Sequence, residues 1–195
     1  MRDTSVASAE HNSIPGYEKL DRRIFVRGGE LHEADPDALA EFIADIVEVE
    51  SPVHVQEVSR RITEAAFVTR TGSRIRAVIE ASVNRAVESD KVVLRGAFLW
   101  QPGMTEPLLR DRSELPDASR KLDFVASEEV AVAVERAVGN SYGIARQDAG
   151  PAALRLLGFG RTSRAASSKV EQAIEMLLAN GRLIAKDDEL ILANS

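Results

Sequence analysis

The chain has no cysteine, which excludes a disulfide framework and any thiolate metal site. It has no apolar run near the roughly 20 residues that span a bilayer, so no membrane helix is expected. Its opening residues, MRDTSVASAEHNS, lack the apolar stretch of a secretory signal, and a cytoplasmic location is expected. Histidine is scarce, with three residues, and tryptophan occurs once, at Trp100. What remains is an ordinary globular balance, 44% hydrophobic and 29% charged over 195 residues, enough for one or two compact domains.

The formal net charge of -6 is unevenly spread. Acids dominate residues 1–50, with Glu30, Glu33, Asp35, Asp37, Glu41, Asp45, Glu48 and Glu50 in close succession. From Arg70 to Arg95 the balance reverses: Arg70, Arg74, Arg76, Arg85, Lys91 and Arg95 face only Glu80, Glu88 and Asp90. A local basic segment can create an electrostatic footprint whatever the sign of the whole chain.

An apolar pattern recurs at one fixed offset. RTGSRIRAVIEASVNRA from Arg70 lies over RTSRAASSKVEQAIEML from Arg161, 91 residues on. The same shift carries Leu39 onto Val130, Ile43 onto Val134, Val47 onto Val138, Val53 onto Ile144, Ile62 onto Ala153, Val83 onto Ile174, and Val92-Val93 onto Leu183-Ile184. Few of these pairs are identities; the pattern is what repeats, and it implies two copies of one small domain.

Each copy parses alike. Asp35-Pro36-Asp37 starts a helix whose Leu39, Phe42, Ile43, Ile46 and Val47 form a stripe at 3.6-residue spacing. Ser51-Pro52 stops it, and Val53-His54-Val55 is a short extended rung. Val55, Val58, Ile62 and Ala65 mark a second helix; Ile75, Val78, Ile79, Val83 and Val87 mark a third. Val92-Val93-Leu94 and Phe98-Leu99-Trp100 flank a glycine-containing turn, Arg95-Gly96-Ala97. In the second copy Ser127-Glu128-Glu129 opens the first helix, Asn180-Gly181 closes the third, and a hairpin folds around KDDE.

Three helices followed by a hairpin is the order of a winged helix, a helix-turn-helix variant. The expected fold is therefore mainly α with small β-hairpins (α+β), as tandem winged-helix repeats. Residues 1–16 read as a disordered tail and 17–34 as an N-terminal arm with one strand at RRIFV. Residues 35–100 read as the first repeat, 101–126 as a linker in which KLDFV has the composition of a strand, and 127–195 as the second repeat.

The stretches ELHEADPDALAEFIADIVEVESPVHVQEVSRRI, TRTGSRIR, GAFLWQPG, RDRS and PDASRKLDFV resemble a bacterial domain of unknown function. That domain lies at the C-terminal end of large superfamily 1 helicase proteins, often beside a Vsr-like endonuclease domain. The resemblance covers about residues 17–193 and implies an accessory module of DNA-processing or phage-defence machinery, with helicase or nuclease domains as partners. It brings no catalytic residues, and no helicase motif is present in this chain.

Other chemistries fit poorly. GFGRTS at 158–163 resembles a phosphate-cradling loop, but a helix precedes it where a strand is needed and no lysine follows. His32, Glu33, Asp35 and Asp37 match no ligand spacing, and Asp35 serves better as a helix cap. No hydrolase-type serine motif is present. No enzyme, metal or cofactor is expected.

The arginines remain. A helix start carries partial positive charge, so Arg74 and Arg76 in the first turn of the third helix cost roughly 0.3–1 kcal/mol each unless an anion is near. With Thr71 or Ser73 as the cap, this is the end of a helix-turn-helix that enters the major groove. Arg70, Thr71, Ser73, Arg74 and Arg76, with Arg95 at the wing tip, are the candidate DNA contacts of the first repeat; Arg161, Ser163, Arg164 and Lys169 are those of the second. Duplex DNA is the favoured partner. The competing expectation is that these arginines pair with the many carboxylates, leaving a protein-interaction or dimerisation module. Because Asp187, Asp188 and Glu189 would repel phosphate, the first repeat is the better candidate.

Overall fold

The structure, a computed structural model, describes residues 14–24, 29–160 and 163–193. Among the described residues the protein is mixed α/β, with six α-helices and two small antiparallel three-stranded sheets. The first set of elements is α1 (Pro36–Glu50), β1 (Val53–His54), α2 (Val55–Ala65), α3 (Ser73–Glu88), β2 (Val93–Arg95) and β3 (Phe98–Trp100). The second is α4 (Ser127–Asn140), β4 (Ile144–Ala145), α5 (Arg146–Leu156), α6 (Arg164–Ala179), β5 (Leu183–Lys186) and β6 (Glu189–Leu192). The bounds of β1, α2 and α3, moved by 91 residues, are those of β4, α5 and α6.

The chain divides into two compact units. The first is formed by Glu18–Pro107 and Asp117–Ala126, the second by the described residues of Met1–Tyr17, Leu108–Pro116 and Ser127–Ser195. The stretch 101–126 is thus divided between the units, and it contributes buried Leu109, Leu115, Phe124 and Val125. KLDFV is not a strand: Leu122–Phe124 form a 3-10 turn, which sets Phe124 4.8 Å from the His54 ring and buries Val125. Residues 1–13 and part of RRIFV lie outside the described residues; the described part, Arg22–Ile24, is not a strand.

In the first unit, Asp35 accepts from the Asp37 amide at 3.0 Å and Pro36 supplies the first helical residue, so α1 starts where a capping acid and a preset φ coincide. Its stripe, Leu39, Phe42, Ile43, Ile46 and Val47, packs with Val58, Ile62 and Ile79 in the core. His54 ends β1 and caps α2, its Nδ1 accepting from the Gln56 amide at 3.1 Å. The sheet order is β1-β3-β2, with Val53 opposite Leu99 and Arg95 opposite Phe98. In the second unit Val130, Val134, Val138, Ala153, Leu157, Ile174, Leu177 and Leu190 are buried, and β4-β6-β5 repeats the sheet order. Asp187 and Asp188 both have positive φ, which a two-residue turn matched to strand twist requires.

Five helices end in the same left-handed corner, α4 among them at Tyr142, φ 54°. At the C-termini of α2, α3, α5 and α6 the residues Phe67, Asp90, Gly158 and Gly181 have φ of 55, 56, 85 and 67°. The next amide reaches back to the helix each time, as Val68 does to the Thr63 carbonyl at 2.9 Å and Phe159 to that of Leu154 at 2.9 Å. After α5 and α6 the second repeat uses glycine, whereas after α2 and α3 the first uses phenylalanine and aspartate. A residue with a β-carbon pays about 1–2 kcal/mol in this conformation.

Each unit buries one carboxylate that holds a preceding segment of chain. Glu50 accepts the Leu20 amide at 3.1 Å and pairs with Arg61 at 2.9 Å. Glu129, fully buried, accepts the Arg110 amide at 3.2 Å, the Arg110 guanidinium at 2.9 Å and that of Arg112 at 2.7 Å. Both guanidinium groups also lie over the Tyr17 ring, at 4.6 and 4.8 Å. The Arg112 amide donates to Leu157 at 3.2 Å, which brings backbone against Gly158: a β-carbon there would meet the Arg112 nitrogen at 2.8 Å.

Two outcomes follow from this packing. Gly158→Ala combines backbone overlap with a left-handed φ and is expected to destabilise by several kcal/mol, read as a loss of denaturant midpoint; a loss below about 0.5 kcal/mol would contradict the close approach. Burial pushes the Glu129 carboxyl up, but hydrogen bonds and charge from Arg112 and Arg110 outweigh it and hold the carboxyl below the usual range. Its contribution is therefore full above the unfolded glutamate value of about 4.3 and disappears as pH falls through the lower folded value. Chemical denaturation at pH 7, 5 and 3 should show that acid limb, flattened in Glu129→Gln.

Candidate nucleic-acid interface

The acids claim half of the described arginines of the first unit, Arg22, Arg60, Arg61, Arg85 and Arg120. Asp37, Glu41 and Asp45 on α1 pair with Arg85, Lys91 and Arg22, and Glu57 pairs with Arg60 at 3.1 Å. The Arg85 hydrogen bond draws Asp37 below the usual carboxylate range, and Asp37 raises Arg85 in turn. In the second unit Glu171 and Glu175 hold Arg146 and raise it, and Glu135 holds Arg182 at 2.6 Å.

The start of α3 is outside this pattern. Its cap is Gly72, with no side-chain cap and no acid in the first turn; neither Thr71 nor Ser73 caps it, contrary to expectation. Arg70, Thr71, Ser73, Arg74 and Arg76 are all exposed. Among the described residues none of the three arginines pairs with a carboxylate. Arg74 instead donates to His32 Nε2 at 3.1 Å, and the other ring nitrogen, Nδ1, lies 3.0 Å from Glu30. Arginine only donates, so His32 is held as the tautomer carrying its proton on Nδ1. The helix start therefore offers uncapped amides, two hydroxyls and three guanidinium groups to an anion.

Arg95 ends β2 at the hairpin turn, but its side chain lies back on the sheet. It donates to the Met104 carbonyl at 3.0 Å and sits 4.5 Å from the centroid of Trp100, which is buried. A phosphate contact there would compete with both interactions.

The start of α6 is better satisfied. Ser163 Oγ accepts from the Ala166 amide at 3.1 Å, and Ser167 donates to the Ser163 carbonyl at 3.2 Å. Arg164 is exposed and makes no carboxylate pair among the described residues; Lys169 is half-buried. Arg161 lies outside the described residues. Asp187, Asp188 and Glu189 are exposed around the β5–β6 turn. Of GFGRTS, Gly158 is the corner after α5, and Arg161 and Thr162 lie outside the described residues. Among the described residues no cluster of three or more metal-ligating side chains occurs, and no helix is long and apolar enough to cross a membrane.

Residues 29–77 match a family described as protein of unknown function (DUF3320). The matched segment runs from before α1 into the first turns of α3 and includes Arg70, Arg74 and Arg76. The chain is thus similar to a domain of unknown function over that segment. No curated protein and no solved structure matches it.

Sequence reasoning missed two features of this region. The fold of Arg95 onto Trp100 has no signal in spacing. Phe67 had one: the 91-residue shift sets it opposite a glycine. Arg95→Ala is expected to cost about 0.5–1 kcal/mol and to shift the emission of the single tryptophan. Unchanged emission with an unchanged denaturation midpoint would mean the guanidinium does not rest on the ring.

Proposed function

We propose that the chain is a non-catalytic nucleic-acid-binding module made of two winged-helix repeats, the first of which holds duplex DNA at the start of α3. One observation carries the reading: three exposed guanidinium groups surround an uncapped helix start, with no carboxylate paired to any of them among the described residues. In an acid-rich protein whose other arginines are widely paired, that exception favours an external anion. The element order and the β1-β3-β2 sheet suit a winged helix, in which α2 and α3 form the helix-turn-helix and the β2–β3 hairpin is the wing. The resemblance to helicase- and nuclease-associated domains makes DNA processing or phage defence the setting, with such domains as partners.

A second reading has its own support. The edge strands β2 and β5 expose Val93, Leu94 and Ile184, and the second hairpin is acidic, which suits a protein-interaction or dimerisation module. A monomeric mass by light scattering at tens of micromolar would reject the dimer.

Fluorescence anisotropy with duplex oligonucleotides across a salt series tests the DNA reading. Affinity should fall steeply with salt, and Arg74→Glu with Arg76→Glu should weaken low-salt binding at least tenfold. The slope of log affinity against log salt should fall by about 2, since each lost phosphate contact removes about 0.9. Affinity and slope unchanged by the charge reversals would remove this surface from the interface.

A further inference from the structure

At the C-terminal corner of α2 the two repeats share a backbone and differ in chemistry. Gly158 in the second repeat lies under the Arg112–Ser113 backbone and has no room for a side chain. Phe67 takes the same left-handed conformation, at φ 55°, and its residue remains 69% exposed. A large aromatic here gains little burial to offset its strain, and strain of this kind concentrates at functional sites. Tyr142 shares the conformation and is more exposed still, but it is not among the residues that line the cavity between α5 and α6. Phe67 does: a half-open cavity of about 520 Å³ is lined by Ile24, Leu31, His32, Phe67, Val68 and Ile75. The cavity borders the start of α3, since Ile75 belongs to that helix and His32 contacts Arg74 at 3.1 Å. Arg23 lies 5.2 Å from the Phe67 centroid, which adds a further cation.

We propose that Phe67 is a base-stacking residue and that this cavity receives one unpaired nucleobase, from a strand whose phosphates lie on Arg70, Arg74 and Arg76. The inference rests on the DNA reading above and deepens it: the preferred ligand is DNA with an extruded or unpaired base. An aromatic face beside an apolar cavity accepts any base, while Glu30 at its wall, with one carboxylate oxygen on His32, has its other oxygen for the base edge. The cationic rim matches a backbone phosphate and would not favour an acid-free apolar peptide.

The test uses the full chain and two labelled duplexes, one fully paired and one with a single bulged 2-aminopurine. Wild type should bind the bulged duplex about 5- to 100-fold more tightly and change the 2-aminopurine emission. Phe67→Gly removes the strain, so its Tm should rise by about a few degrees; it should bind paired duplex like wild type and lose the preference. Phe67→Trp should keep the preference. Equal affinity of wild type for both duplexes, a preference that survives Phe67→Gly, or a lowered Tm in that variant overturns the inference. Binding of paired duplex that depends on Arg74 and Arg76 would then leave the DNA reading standing. Binding of neither duplex sinks both.

Discussion

The distribution of carboxylates among arginines is the constraint from which the rest of the structure follows. A buried carboxylate is costly unless cations and donors satisfy it. Glu50 and Glu129 are buried, and they commit Arg61, Arg110, Arg112 and the amides of Leu20 and Arg110 to interior positions. The exposed acids of α1 commit Arg22, Arg85 and Lys91. Asp37, Glu41, Asp45 and Glu50 are thereby used within their own unit. Left without a carboxylate are Arg23 and Arg95, which lie on aromatic rings, and the three arginines of the α3 start, so a chain of net charge -6 can still present a local cationic surface.

Two repeats on one pattern allow each departure to be examined by position. The corner glycine of α5 is covered by Arg112 and Ser113, whereas the equivalent Phe67 is open. The α6 start is capped by Ser163 and the α3 start is not capped by any side chain. The hairpin of the second repeat turns through two aspartates, while that of the first turns at glycine and folds Arg95 onto Trp100. At the corner and at the helix start the second repeat takes the locally satisfied choice, whereas at the hairpin it is the one with β-carbons at positive φ. Ser163 satisfies an amide of the α6 start, whereas the α3 start leaves its amides without a side-chain cap.

Much of this was legible because helices and strands impose periods on sequence. The apolar stripe of α1 and its copy in α4 specified a repeat, and the 91-residue shift holds for β1, α2 and α3 to the residue. The cationic α3 start was legible because helix termini have a sign. The Glu129 cluster was not, since Tyr17, Arg110, Arg112 and Glu129 are far apart in sequence and follow no period. KLDFV misled because its apolar residues suit a strand, and only tertiary packing against His54 turns it into a 3-10 segment. The position of Arg95 at the hairpin turn was legible, but the direction of its side chain depends on Trp100, a packing outcome.

Local consistency is what a stable fold ordinarily achieves, and violations of it mark places where something other than stability has been kept. The corner between α2 and α3 holds two violations of different physical origin. Cations at a helix start oppose the backbone dipole, and a phenylalanine in the left-handed region opposes backbone sterics. Either could be relieved by one substitution, an acid in the first turn or a glycine at the corner, as the second repeat illustrates at Gly158. Electrostatic strain and steric strain have no reason to fall together by folding alone, because neither relieves the other. A single ligand that carries both a negative charge and a flat apolar face, as proposed above, would account for their coincidence beside one cavity.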